Sequence, residues 1–209
     1  EYFLEGSKED MTVLVATSGD TGSAVAHGFF NVPGIRVVIL YPSGKVSPMQ
    51  EKMLTTMGGN ITALEVDGTF DDCQRLVKAA FVDPDITKKR RLTSANSINI
   101  ARLIPQSFYY FWAVAQLWKM QKIQKGEKLQ KLTVFAVPSG NFGNITAGLY
   151  AQAMGLPVER FIAATNANDV FPKFLASGQF TPTDSRQTLS NAMDVGNPSN
   201  FARIIELYH

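Results

Sequence analysis

The sequence predicts an α/β protein built from parallel sheets with helices on both faces. Three observations carry that prediction. Apolar runs of strand length alternate with capped or amphipathic runs of helix length along the chain. The strand runs are continuously apolar, as strands buried on both faces must be. Three turns, at 17–22, 94–97 and 138–144, are rich in Gly, Ser and Asn and lead into helices, the order expected at the ligand-binding edge of a parallel sheet.

The elements follow in order. "TVLVATS" (12–18) is a first strand and a helix follows at about 21–31. "IRVVILYP" (35–42) is a second strand, stopped by Pro42. "SPMQEKMLTTMGG" (47–59) is punctuated as a helix, with Ser47 as N-cap, Pro48 in the first turn, Gln50 completing a capping box and Gly58 or Gly59 at the exit. "ITALEVD" (61–67) is a third strand. "TFDDCQRLVKAAF" (69–81) opens with a Thr69/Asp72 cap, and its apolar positions 73, 76, 77, 80 and 81 have helical period, which makes Cys73 a core thiol. The polar, basic stretch 83–91 reads as a loop and as the boundary between two domains, 1–91 and 92–209. "LTSANS" (92–97) then leads into a long helix at about 98–119, bent at Pro105, whose apolar stretch around 108–117 reads as a core helix. "KLTVFAVPSG" (131–140) is a strand and glycine turn. A helix at about 143–154, the strand "RFIAATN" (160–166), a helix at about 169–177 and a last helix from near Ser199 complete the pattern.

Composition removes several classes of function. The 209 residues are 45% hydrophobic and 18% charged, with a net charge of +2, which is ordinary for a globular protein and too weak to argue for nucleic acid. "KKRR" (88–91) reads as a solvated loop. No run of about 18 apolar residues exists to span a membrane. One cysteine and two histidines give neither a disulfide nor a metal cluster. A Ser-His-Asp mechanism would have to use His27, which reads as a packed or surface residue mid-helix. "EYFLEG" resembles a helix tail closing on Gly6, and "FARIIELYH" stops within a helical pattern, so the expectation is an internal fragment of a longer chain.

The three turns carry the chemistry. In "PSGNFGN", Gly140 and Gly143 allow close backbone approach, Asn141 and Asn144 add amide donors, and no carboxylate intrudes. This suits a phosphate, or equally a plain strand-to-helix turn. The G-x-G-x-x-G and Walker spacings are absent. In "SANSINIARLIPQ", Asn99, Arg102 and Gln106 form one polar stripe on an apolar helix, with Asn96 and Ser97 at its N-terminus. A buried arginine there needs an anion, either a ligand phosphate or a protein carboxylate. In "TSGDTG", Ser18, the Gly19 N–H and Thr21 suit a carboxylate ligand, or Asp20 caps its own helix.

These turns, in this order, resemble the pyridoxal-phosphate enzymes of the tryptophan-synthase β-like class. Together, "ATSGDTGSAVAHGF", "ILYPSGKVSPMQEKMLTTMGGNI", "LTSANSINIARLIPQ", "VPSGNFGNITAGLYA", "RFIAATNAND" and "LSNAMDVGNPSNF" resemble the threonine synthase family over nearly the whole chain. The resemblance implies a two-domain fold type II architecture, incomplete at both ends, with a part of the small domain at 1–91 and a part of the large domain at 92–209. It implies pyridoxal 5'-phosphate as cofactor and, as reaction, O-phospho-L-homoserine and water giving L-threonine and phosphate. It implies that Gly140, Asn141, Phe142, Gly143 and Asn144 cradle the cofactor phosphate. Ser18, Gly19, Asp20 and Thr21 would face the substrate carboxylate and the cofactor ring, and Asn96, Ser97 and Arg102 would hold the substrate phosphate.

The Schiff-base lysine of such enzymes has no counterpart here. Lys8 is in a polar loop and Lys45 reads as a solvated loop residue, so that lysine is expected upstream of Glu1 and the fragment is expected to be inactive. The resemblance also implies a cytoplasmic enzyme with no nucleic-acid, membrane or metal partner, and leaves oligomeric state open. The alternatives are a threonine dehydratase-like lyase of the same fold and a non-catalytic binder of phosphorylated ligands. A nicotinamide-binding domain lacks both the glycine spacing and an acid at the end of the second strand.

Overall fold

The apolar runs pair as parallel strands. The computed structural model describes residues 10–17, 19–96, 99–121 and 133–208. In it, β1 (Met11–Ala16) lies between β2 (Ile35–Pro42) and β4 (Arg91–Ser94), and β3 (Ile61–Val66) flanks β2. Val13 stands opposite Val37 and Leu14 opposite Ser94. Helices α1 (Asp20–Phe29) and α2 (Pro48–Thr55) carry the chain outward from β1 to β3, and α3 (Phe70–Val82) with the short α4 (Pro84–Thr87) returns it past β1 to β4. Strand order therefore reverses at β1, and ligands of such sheets bind beyond the carboxyl ends of the strands at that point.

Local chemistry explains the elements. The capping boxes at Ser47/Gln50 and Thr69/Asp72 are both formed, with Pro48 at the start of α2. The two-residue period of the strands divides their apolar side chains between two faces. Val13, Val15, Val37 and Ile39 pack with Ala26 and Leu54 on one side, and Leu14 and Ala16 pack with Cys73 and Val77 on the other.

A second compact unit is built on β5 (Thr133–Pro138) and β6 (Val158–Ala164), a parallel pair. Around them are α5 (Ile100–Met120), α6 (Gly143–Ala153), α7 (Val170–Ser177) and α8 (Phe201–Tyr208). α6 approaches closely because residue 148 is glycine: a Cβ there would lie 2.6 Å from Phe161 and 2.9 Å from Tyr110. Tyr110 in turn meets Phe135 and Phe161 edge-on, with centroids 5.0 and 5.5 Å away.

Elements fall within one or two residues of their expected bounds, but three expectations meet a different arrangement. The basic stretch contains α4 and runs into β4, because Leu92–Ser94 pair with Thr12–Leu14. The first unit accordingly comprises Glu1–Asn96 with Ser185–Val195 and the second Ser97–Asp184 with Gly196–His209, where the sequence placed a single break after residue 91. Finally, α5, which contains Pro105, is a core helix on one side only. Leu103, Ser107, Tyr110 and Val114 form its buried stripe, whereas Phe108 and Trp112 are 61% and 68% exposed.

Candidate functional site

The turn after β5 is an open nest. Phe142 caps α6 in the left-handed conformation at φ 60° and provides no side-chain hydrogen bond to the helix. That backbone costs a non-glycine residue about 1–2 kcal/mol. It is held by burial of the ring, which packs on Phe171 at 4.7 Å. Asn144 closes the turn, with Nδ2 donating to the Pro138 carbonyl (2.7 Å) and Oδ1 accepting from Ile145 N–H (2.9 Å). Asn141 braces a distant segment: its Oδ1 accepts from Ser199 N–H (2.7 Å) and Oγ (2.9 Å), and its carbonyl accepts from the fully buried Asn200 (2.9 Å). The N–H groups of Gly140, Phe142 and Gly143 meet no acceptor among the described residues. Backbone N–H groups at the positive end of a helix, without a carboxylate in residues 138–144, suit a phosphate. The sequence assigned amide donors to Asn141 and Asn144, but the Asn144 amide is engaged in building the turn, and the donors left to a ligand there are mainly backbone.

α5 runs against this turn. The Tyr110 hydroxyl donates to the Asn144 carbonyl at 2.9 Å, and burial pushes that phenol well above the usual range. Arg102 lies eight residues earlier, about 12 Å along the helix axis. It is half-buried, and burial lowers its pKa while neighbouring Tyr109 opposes that shift. Asn99, expected on the same stripe, is instead the N-cap of α5, with Oδ1 accepting from Ala101 N–H at 3.0 Å. Gln106 stays on the stripe, and its Oε1 is buried without a hydrogen-bond partner among the described residues.

In the first unit, the turn after β1 is organised by Thr17. Its buried Oγ1 accepts from the N–H groups of Gly19 (2.9 Å) and Gly22 (2.8 Å). Gly19, at φ 135° and ψ −74°, is the N-cap of α1, so Asp20 is the first helical residue rather than the cap. The Asp20 carboxylate accepts instead from Gln50 Nε2 at 2.7 Å. Thr21 is half-buried beside it. Asn96 also has a different task from the phosphate contact expected of it: its amide exchanges two hydrogen bonds with Ala16 at the end of β1. Ser18, Ser97 and Lys8 lie outside the described residues, as does "EYFLEG".

Sequence reasoning identified Gln50 only as a helix-capping residue and gave no role to Asn191, Ser199 or Asn200. Their asparagine-rich stretch was visible, but its partners lie far away in sequence. His27 is exposed, with Nδ1 2.8 Å from the Ser23 carbonyl. Lys45 is exposed at the edge of a hollow of about 80 Å³ shared with Phe70, Asn191 and Asp194. A hollow of about 780 Å³ lies between Asp10, Arg36 and Arg90, at the opposite end of the sheet from the Thr17 turn. Among the described residues there is no metal-ligand cluster, and no helix is long and apolar enough to cross a membrane.

An α/β unit built on the parallel pair β5–β6 thus carries an open N–H nest, with the half-buried Arg102 on the helix against it. The chain belongs to the pyridoxal-phosphate dependent enzyme family, whose sequence profile matches residues 1–209. It is 55% identical over 201 residues to the threonine synthase of Serratia marcescens, covering 96% of this chain and 45% of that one. It is 45% identical over 215 residues to that of Saccharomyces cerevisiae, covering 98% and 40%. Its fold matches the crystal structure of threonine synthase from Escherichia coli with a TM-score of 0.87 at 54% identity, over 97% of this chain and 46% of that one. The PLP-bound threonine synthase from Brucella melitensis matches with a TM-score of 0.80 at 41% identity, over 98% and 42%. The chain thus spans a little under half the length of these relatives.

Proposed function

We propose that this chain is part of a cytoplasmic threonine synthase, which converts O-phospho-L-homoserine and water to L-threonine and phosphate. The observation that supports the reading is that one unit holds the open N–H groups of Gly140, Phe142 and Gly143 and, about 12 Å along α5 from the Tyr110 that meets their turn, the half-buried Arg102, which we read as two anion positions. A cofactor phosphate and a substrate phosphate together require two. The threonine synthases that match it at up to 55% identity support the same reading.

In this reading, Gly140, Asn141, Phe142, Gly143 and Asn144 hold the phosphate of pyridoxal phosphate, with backbone N–H groups as donors and the asparagine side chains as braces. When bound, the cofactor supplies an electron sink for carbanion chemistry at the substrate. Ser18 and Thr21 hold the substrate carboxylate at the start of α1, where the helix dipole favours negative charge, while Gly19, whose N–H is taken by Thr17 Oγ1 and not left to a ligand as the sequence implied, shapes the turn. Arg102, with Ser97, holds the substrate phosphate and stabilises the charge that grows on it as it leaves. Asn96 serves the same end by fixing β1. In this reading the lysine that tethers the cofactor belongs to a part of the longer protein outside this chain, so the chain alone does not turn the substrate over.

The longer protein, loaded with pyridoxal phosphate, is expected to release phosphate from O-phospho-L-homoserine and form L-threonine in equal amounts. Release of ammonia from threonine without phosphate chemistry would overturn the reading in favour of a dehydratase. The chain alone is expected to show no turnover. Turnover by it, lost on Lys45→Ala, would overturn the assignment of the lysine to another segment.

A further inference from the structure

A glutamine in a capping box needs only its Oε1, which accepts from the cap residue's N–H and leaves Nε2 to solvent. Gln50 does more. Its Oε1 accepts from Ser47 N–H at 2.8 Å and also from Asn191 Nδ2 at 2.8 Å. Its Nε2 donates to Asp20 Oδ1 at 2.7 Å and lies 3.5 Å from Asn191 Oδ1. One amide thus joins the start of α1, the start of α2 and the 3₁₀ turn Asn191–Met193. The Thr17 turn is moulded onto that amide: a Cβ on Gly19 would lie 2.4 Å from the Gln50 Cδ.

Consider Asp20 without that partner. Thr17 already takes the Gly19 and Gly22 N–H groups, and α1 has no side-chain cap. The positive helix end would draw the Asp20 carboxylate back over itself. It would then compete with, and repel, any carboxylate ligand arriving there. We infer that Gln50 is a positioning residue for the reaction proposed above, on which this inference rests: it holds the Asp20 carboxylate clear of the α1 N-terminus, and Asn191 holds Gln50 in place.

Gln50→Glu isolates this role. Glutamate serves the capping box as well as glutamine does, so α2 keeps its start, but the donor to Asp20 is lost and a like charge replaces it. In the cofactor-loaded longer protein, KM for O-phospho-L-homoserine is expected to rise about tenfold, the scale of one charge-assisted hydrogen bond. The value of kcat should change by less than about threefold. Adding Asp20→Asn to that variant restores an amide–carboxylate pair with reversed polarity and should recover most of the lost KM. An unchanged KM in Gln50→Glu, or a double variant no better than the single one, overturns the inference. Thermal unfolding of the same variants separates this outcome from failure of the functional reading, because it requires no substrate. A favourable coupling between positions 20 and 50 is expected there, and its absence overturns the inference even if the wild type makes threonine. If coupling is present and the wild type makes no threonine, the reaction proposed is wrong and the positioning role for that reaction falls with it.

Discussion

The Asn96 side chain completes the β4–β1 ladder at Ala16: Nδ2 donates to the Ala16 carbonyl at 2.6 Å and Oδ1 accepts from its N–H at 2.9 Å. The register sets 92 opposite 12, 93 opposite 13 and 94 opposite 14, so 96 belongs opposite 16. The backbone has already left the strand at that point, and the side-chain amide supplies the missing pair. Ala16 is 1% exposed, so its polar groups would otherwise be buried without partners. Asn96→Ala is expected to cost about 2–4 kcal/mol, the scale for two buried backbone groups left unsatisfied. Asn96→Asp keeps the acceptor and loses the donor, so it should fall between the two. Urea denaturation measures all three. A cost of a few tenths of a kcal/mol for Asn96→Ala would show that the amide does not carry the edge of β1.

Cys73 makes stability depend on pH. It is fully buried in the α3 face, and burial, with the charge of Asp72 adding, pushes its thiol from 9.0 up to about 11. In the unfolded chain the thiol loses its proton near the ordinary value, while the folded thiol holds it. The unfolded state therefore binds fewer protons between about pH 9 and pH 11, and stability falls as pH rises through that window, at most about 1.4 kcal/mol per pH unit. Below the window the contribution is fully present. Urea midpoints at about pH 8 and about pH 10.5 should differ by less in Cys73→Ala than in the wild type. Identical pH dependence in the two proteins would mean the thiol does not titrate as its burial implies.

What was legible in the sequence was local. The capping boxes at 47–50 and 69–72 involve residues three apart, and strand burial is written in continuous apolar runs, so both were readable. β4 was not, because Arg91–Ser94 is a short, polar edge strand with no apolar run to announce it. The task of Asn96 depends on register across 80 residues, and that of Gln50 on a contact across 30, neither of which periodicity encodes. Glycines marked the turn between β5 and α6, yet the left-handed residue in it is Phe142. Its aromatic partner Phe171, which helps hold that conformation, comes from α7.

Asn144 should affect the cofactor without touching it. Its amide spans the turn from Pro138 to Ile145, and its carbonyl receives the Tyr110 hydroxyl. Asn144→Ala removes the side-chain brace and leaves the backbone donors present but less fixed. Affinity for pyridoxal phosphate is expected to fall about tenfold, with a stability loss of about 1–2 kcal/mol. Titration of the cofactor absorbance measures the first and urea denaturation the second. Full cofactor affinity with the expected stability loss would show that the turn holds its shape without this brace.

Arg102 should separate the two anions. A guanidinium offers a planar fork to a phosphate, and lysine offers a point charge, so Arg102→Lys retains the charge and loses the geometry. For O-phospho-L-homoserine, kcat/KM is expected to fall about tenfold in Arg102→Lys and about a hundredfold or more in Arg102→Ala, the scale of one and two charge-assisted hydrogen bonds. Inorganic phosphate should compete with substrate in the wild type and only weakly in Arg102→Ala. Cofactor affinity should remain within about twofold in both variants, because Arg102 lies two turns of α5 away from Tyr110, the residue that meets the 140–144 turn proposed to hold the cofactor. If Arg102→Ala instead loses the cofactor along with the substrate, Arg102 serves the anion in the 140–144 nest, and the assignment of a second phosphate to α5 is wrong.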